Sequence, residues 1–463
     1  MTQYPAPFDE AQGRLRTQDF VTVVGGGLAG CEAAWQLARR GITVRLYEMR
    51  PLRTTPAHHT DRLGELVCSN SFRSASLDSA VGLLKEEMRC LGSLVMDIAA
   101  GTAVPAGSAL AVDREQFAVQ LTAAIRSRPE ITVVREEVTA LPEGLAIVAT
   151  GPLTSPAFSR CLQQLLGEHL YFYDAIAPIV TGESVDRSVA FAASRYGKGG
   201  DDYLNCPLSR DAYYRFVQAV RTAATVPVRD FERCMYFEGC MPIEEMARRG
   251  PDTLAFGPMR PVGLVDPRTG RRPFAVVQLR QDNRDGTLFN MVGFQTKMTY
   301  PEQRRVFRMI PGLERAEFVR LGSLHRNTFI NSPRRLQATL QLIGRPHTFF
   351  AGQLIGVEGY VECAAAGLMA AMNVSRALRG AECIVPPATT ALGSLLRYVS
   401  DRNRRGFQPM NANYGLFPQI TSRERGREKR RALAARASSD LRAWMAAHEI
   451  EQSHRVGNEV LPA

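Results

Sequence analysis

Along residues 21–48 the hydrophobic positions change period twice. VTVV (Val21–Val24) is a run of four strand-type residues, CEAAWQLARRG repeats at helical spacing up to Gly41, and ITVRLYE reads as a second strand ending at Glu48. Between the first two lie Gly25, Gly26, Gly27, Leu28, Ala29 and Gly30. Strand, glycine turn, helix and strand with an acid at its tip make the dinucleotide-binding βαβ pattern. In that pattern Gly25 permits the tight turn, Gly27 lets backbone approach a pyrophosphate, and Gly30 lets helix and strand pack closely. The helix N-terminus offers free N–H groups to phosphates, and Glu48 is placed to bond a ribose hydroxyl.

The pattern downstream divides the chain. Residues 51–75 are rich in Pro and polar residues and read as a long loop, a place where function often resides. Residues 77–100 read as helical, and 131–138 and 145–151 as strands. The second of these, LAIVATG, ends in Ala149, Thr150 and Gly151, a small-residue turn that admits a bound cofactor. Residues 186–330 carry many Arg–aromatic pairs and strands such as FAVVQLRQDN and GTLFNMVGFQ. A short strand, FFAGQ, returns at 349–353, bringing Gly352, Gln353 and Gly356 ahead of an Ala/Gly-rich helix. The expected fold is therefore α/β: a Rossmann-like cofactor domain (21–185 and 331–400) split by an inserted α/β domain (186–330). A flexible arm (1–20) precedes it and a basic helical segment (401–463) follows.

Composition narrows the class. Lys and Arg outnumber Asp and Glu by 57 to 46, a net charge of +11 that favours an anionic partner such as nucleic acid. Since Arg greatly outnumbers Lys, an Arg-rich proteome accounts for the excess equally well. The local run Arg423, Arg425, Arg427, Lys429, Arg430, Arg431 and Arg436 tilts the balance toward the partner, although Glu424 and Glu428 also fit a solvated, ion-paired helix face. No apolar run is long enough to cross a membrane, and the polar first twenty residues lack a signal core, so a cytoplasmic protein is expected. Nine scattered Cys, without CxxC or Cys–His spacing, argue for reduced thiols and no metal site.

Three widely spaced turns, GGGLAG, ATG and AGQ, fit FAD better than NAD, because a long cofactor is touched by both ends of a split domain. Further segments carry a more specific likeness: YEMRP, GELVCSNSFRS, VGLLKEEMR, VPAGSALAVDREQF, ATGPLTS, DAIAPIV, FEGCMPIEEMARRG, VVQLRQDN, HRNTFINSP and AGQLIGVEGY. Through these, from about residue 21 to about 420, the chain resembles the folate- and FAD-dependent tRNA (uracil-5-)-methyltransferase family, which is related to larger flavoproteins that modify the wobble uridine of tRNA. The chain departs from common flavoproteins at Gln353, where many have Asp but the wobble-uridine relatives share Gln, and at Cys363, where a small residue is expected and a packing variant is read.

The resemblance implies that methylenetetrahydrofolate supplies a one-carbon unit, reduced FAD supplies electrons, and NADH or NADPH reduces the flavin. The acceptor is C5 of the T-loop uridine of tRNA. Uracil C5 becomes nucleophilic once a thiolate adds to C6. The resemblance nominates Cys240 as that nucleophile and Cys68 as a second thiol at the flavin or substrate face. The other seven Cys, Cys31 and Cys363 among them, are expected only to pack. His325, Arg326, Asn327 and Arg280 are candidate folate or uracil contacts. Lys85, Glu86 and Glu87 read equally as a solvated helix face, and of the adjacent His58 and His59 at most one faces a site. Three other readings stay open: a wobble-uridine-modifying flavoprotein, a small-molecule flavin oxidoreductase, and a non-catalytic tRNA-binding flavoprotein. The residues do not distinguish a monomer from an oligomer.

Overall fold

The computed structural model describes residues 8–9, 14–15, 20–167, 170–226, 241–420 and 424–452, with backbone alone at 8–9, 14–15, 170–174 and 326. The expected flexible arm lies largely outside the described residues; its described part, Phe8–Asp9, pairs antiparallel with Arg14–Leu15.

Two six-stranded sheets organise the rest. The first runs in the order 341–342, 345–350, 146–148, 21–24, 44–47, 131–134. Its last five strands are parallel, with Val23 aligned between Leu46 and Ile147. The two central strands, 21–24 and 146–148, are buried throughout and nearly all apolar, whereas 44–47, 131–134 and the start of 345–350 reach solvent. The sheet joins strands from both ends of the chain, as a split domain requires. Helix Leu28–Ala38 covers it together with Tyr360–Leu378, whose Gly367 approaches the carbonyl of Ala29 so closely that a Cβ there would lie 2.1 Å from the oxygen. The Ala-rich sequence of the second helix is thus the signature of a tight helix crossing.

The second sheet is antiparallel, in the order 191–192, 203–208, 275–281, 288–291, 179–181, 318–320. It has its own core around Phe216, Phe294 and Phe307. An antiparallel ribbon, 170–175 against 324–329, carries the chain into and out of it. A three-stranded sheet, 71–74, 109–112 and 103–104, lies beside the first. Near the C-terminus, helix Gly426–Ala447 turns Arg427 and Arg431 onto Asp78, so part of the basic run is paired within the protein.

The solvated-face reading of Lys85 and Glu87 is corrected. Both are buried on helix Ala80–Cys90, and only Glu86 is half-exposed. Glu87 accepts the N–H groups of Ala391 and Leu392, both at 2.8 Å, and so caps helix Ala391–Ser400. Burial pushes its carboxyl up to about 8 against those two bonds. Lys85 donates to the carbonyl oxygens of Ser74 (2.5 Å) and Arg73 (3.4 Å). Burial, then the Arg73 charge, brings its amine down to about 7, against about 10.4 in an unfolded chain. Between these values the unfolded state binds a proton that the folded state does not, so Lys85 makes stability rise with pH across that window. Lys85→Met is expected to remove up to about 1 kcal/mol per pH unit of that slope. Urea midpoints of both proteins at pH 7, 8 and 9 check this; parallel profiles would refute it.

Candidate active site

The turn at 25–30 opens onto a long cleft. Its walls are Val24–Ala29, Tyr47–Arg50, Glu136–Val138, Ala149–Ser155, Gly352 and Gln353. Of the residues expected to hold a cofactor, Gly25, Gly26, Gly27, Leu28, Ala29, Glu48, Ala149, Thr150, Gly151, Gly352 and Gln353 line it. Gly30 and Gly356 lie outside the lining. Gly30 sits beneath the turn, against the carbonyl of Gly25, and Gly356 faces the ring of Phe407. Of the adjacent histidines, His58 lines the cleft and bonds Thr55 Oγ1 at 2.6 Å, while His59 is exposed.

The cleft suits a dinucleotide. A Cβ at Gly27 or Gly151 would meet no protein atom within 4 Å, so bare backbone faces the open space. Helix Leu28–Ala38 has no side-chain cap and no acid in its first turn, which leaves its N–H groups and positive dipole end to an anion. Glu48 is tied more closely than its position predicts. It accepts Gly26 N–H (3.0 Å), Arg50 N–H (3.0 Å), and Arg50 Nε (2.9 Å) and Nη2 (3.2 Å). Burial raises its pKa, but the Arg50 bonds and charge outweigh burial and hold the carboxyl below its usual range. Arg50, missed from the sequence, sits within the quoted YEMRP.

A second cavity adjoins the first and shares Val67, Pro152, Leu153, Gln353, Tyr360 and Cys363 with it. Cys68, Arg280, His325 and Asn327 line it. Arg326 is on the same ribbon, its side chain outside the description, and Cys240 lies outside the described residues. Cys363, read as a packing residue, packs against the core and also stands on the wall common to both cavities. Burial pushes its thiol well up, so it remains protonated. Cys31 does pack, buried with Sγ 3.3 Å from Gly26 O.

The Cys68 loop is held from four directions. Tyr360 Oη accepts the N–H groups of Cys68 (3.0 Å) and Ser69 (3.1 Å). Arg114 donates to Leu66 O and Arg320 to Val67 O, each at 2.6 Å, and Arg280 donates to Ser69 and Asn70. These donors come from both sheets' surroundings, so docking the second sheet on the first fixes the thiol. Arg73, also on the cavity wall, pairs with the buried Glu362. His325 bonds Ser323 Oγ at 2.8 Å; burial, then Arg320, takes its pKa down to about 4, so it is neutral at physiological pH. Among the described residues no group of His, Cys, Asp and Glu is arranged to hold a metal ion. No described helix is long and apolar enough to cross a membrane.

Comparison with known proteins agrees with this architecture. The family model "Glucose inhibited division protein A" matches residues 20–382. A protein of Geobacter sulfurreducens, methylenetetrahydrofolate--tRNA-(uracil-5-)-methyltransferase TrmFO, is 62% identical over 92% of this chain and 99% of its own length. One of the same name from Moorella thermoacetica is 60% identical over 93% and 99%. The solved structure of Aquifex aeolicus GidA shares the fold, with a TM-score of 0.68 at 17% identity, covering 92% of this chain and 73% of that one. The chain belongs to the methylenetetrahydrofolate--tRNA-(uracil-5-)-methyltransferase family, within the broader glucose inhibited division protein A family.

Proposed function

We propose that this protein methylates C5 of the T-loop uridine of tRNA, taking the one-carbon unit from methylenetetrahydrofolate. One observation carries the reading: a dinucleotide cleft opens, through a shared wall, into a cavity bearing Cys68. The names and high identity of the relatives supply the substrate class. FAD, when bound, supplies the electron pair that takes the carbon from the methylene to the methyl level. NADH or NADPH is the proposed source of those electrons.

The protein's own part is binding, activation and exclusion of water. Backbone from Gly25 to Ala29 and at Gly151 would hold FAD, and Glu48 and Arg50 hold the turn that presents that backbone. Gln353, Tyr360 and Cys363 line both cavities and would stand between a cofactor in the first and a substrate in the second. In the second cavity Asn327 and neutral His325 offer hydrogen bonds to a heterocycle. A thiolate adds to uracil C6, and C5 then attacks the one-carbon unit. Cys240 is the proposed nucleophile and Cys68 the second thiol. The target uridine is extruded to reach the cavity.

The test uses unmodified tRNA transcript, methylenetetrahydrofolate labelled in its one-carbon unit, FAD and NADPH, without S-adenosylmethionine. Label at C5 of the T-loop uridine is the expected result. A flavin-loaded, NADPH-reducible protein that transfers no label would refute the reading.

A further inference from the structure

Strands 275–281 and 288–291 pair so that Arg280 lies directly opposite Asn290. Both side chains are more than nine-tenths buried, and both line the second cavity. The Arg280 guanidinium spends Nε on Asn70 Oδ1 (3.0 Å) and Nη2 on Ser69 Oγ (2.8 Å). Both acceptors are neutral, and Nη1 has no partner among the described residues. Asn290 Nδ2 is likewise a buried donor with no partner among them. A buried donor left unpaired is costly, about 1–3 kcal/mol in a typical protein; Asn290 Nδ2 is such a donor, and the Arg280 guanidinium directly opposite it on the same cavity wall has a further N–H to give, so the two side chains mark a place for an oxygen.

The local charge has the matching sign. Arg114, Arg280 and Arg320 converge on the Cys68 loop, and of their charges only that of Arg114 is met by a carboxylate among the described residues, Asp282 at 3.0 Å. Of the three, Arg280 stands on the cavity wall, which also carries Arg73 and Glu358, while Arg114 and Arg320 reach the loop from outside the lining; the side of the cavity beside the thiol is therefore rich in donors.

We propose that Arg280 and Asn290 form an oxyanion-holding pair for uracil O4. The proposal rests on the methyltransferase reading above. When a thiolate sulfur forms its bond to C6, the C5–C6 π pair becomes the C4–C5 π bond, and the C4–O4 π pair moves onto O4. No proton or redox partner is needed for that step. The charge arriving on O4 is what two preorganised donors stabilise, and removing one such donor typically lowers turnover about 10²–10³-fold. When C5 attacks the one-carbon unit, the pair on O4 returns to the carbonyl.

The test is carried out on flavin-loaded protein with tRNA tritiated at uridine C5, where methyl transfer releases tritium. Asn290→Asp replaces the free donor with a carboxylate of the same shape. Flavin content and melting temperature are read on every variant, and the uncharged Asn290→Ala keeps the test valid where a buried carboxylate changes stability. Asn290→Ala removes the donor alone, Arg280→Gln removes the charge and Arg280→Lys retains it. The expected result is a fall in kcat for tritium release of at least about 100-fold in Asn290→Asp and Arg280→Gln. Asn290→Ala, which removes one donor, should fall by about 100-fold and Arg280→Lys by less, with the folate KM and tRNA Kd within about threefold of wild type. A rise of tenfold or more in folate KM at unchanged kcat would overturn the proposal and assign the pair to a folate carboxylate. Wild-type rates in the Asn290 variants would also overturn it. A wild-type protein that releases no tritium would refute the methyltransferase reading itself, and the proposal with it.

Discussion

Gly30→Val protein is expected to fold without retaining FAD, with affinity reduced at least about a hundredfold. A Cβ at Gly30 would lie 1.8 Å from the Gly25 carbonyl oxygen and 3.0 Å from its carbon. Neither side can yield. Gly25 has φ of +108°, and its own Cβ position is 2.4 Å from Ala149 O, so the turn is wedged against the next strand. On the other side, helix Leu28–Ala38 is held by Gly367 against Ala29. Overpacking of this kind costs about 1–3 kcal/mol or more, and about 1.4 kcal/mol is a tenfold change in affinity. The displaced atoms are the ones that would carry the phosphates, so the loss falls on the cofactor. Gly27→Ala separates binding from folding: its Cβ meets no protein atom, and Gly27 has φ of −78°, so it should keep wild-type stability while FAD binds more weakly. Flavin absorbance per protein, with circular dichroism for the fold, reads both. Full flavin content in Gly30→Val would show that the turn does not set the cofactor cradle.

The cofactor turns were legible because each is local. In VTVVGGGLAG the strand, the turn and the helix start occupy ten consecutive residues, and the ATG and AGQ turns follow their strands directly. The second cavity was legible only in part, because it is assembled over long separations. Tyr360 reaches Cys68 across 292 residues, and Arg280 reaches Ser69 across 211. Periodicity has no memory over such spans. Lys85 and Glu87 show the same limit from another side. Their spacing is that of an ordinary charged helix face, but the segment that buries Glu87 arrives some three hundred residues later, at Ala391 and Leu392. Arg50 was missed for a different reason: only two residues from Glu48, it turns its guanidinium back along the same strand end, which the alternation pattern does not encode. The Arg-rich composition, attributed in part to genome bias, proves structural in places. Arg114, Arg280 and Arg320 supply the donors that hold the Cys68 loop.

Cys240→Ala is expected to lower methyl transfer by at least about 10³-fold while tRNA Kd stays within about threefold, because loss of a nucleophile removes transition-state stabilisation rather than uniform binding. Cys68→Ala is expected to lose less, about 10–100-fold. Cys68 stands on the cavity wall with its Sγ 4.0 Å from Ala175 O, and its loop is fixed by Tyr360 and three arginines, so removing the thiol leaves the wall intact. Single-turnover transfer of labelled carbon orders the two variants. A tRNA carrying 5-fluorouridine at the target position identifies the nucleophile directly, because fluorine is not released from C5 as a cation and the bond from sulfur to C6 persists. A denaturation-resistant adduct is expected with wild type and with Cys68→Ala, and none with Cys240→Ala. The reverse pattern, adduct with Cys240→Ala and none with Cys68→Ala, would transfer the nucleophilic role to Cys68.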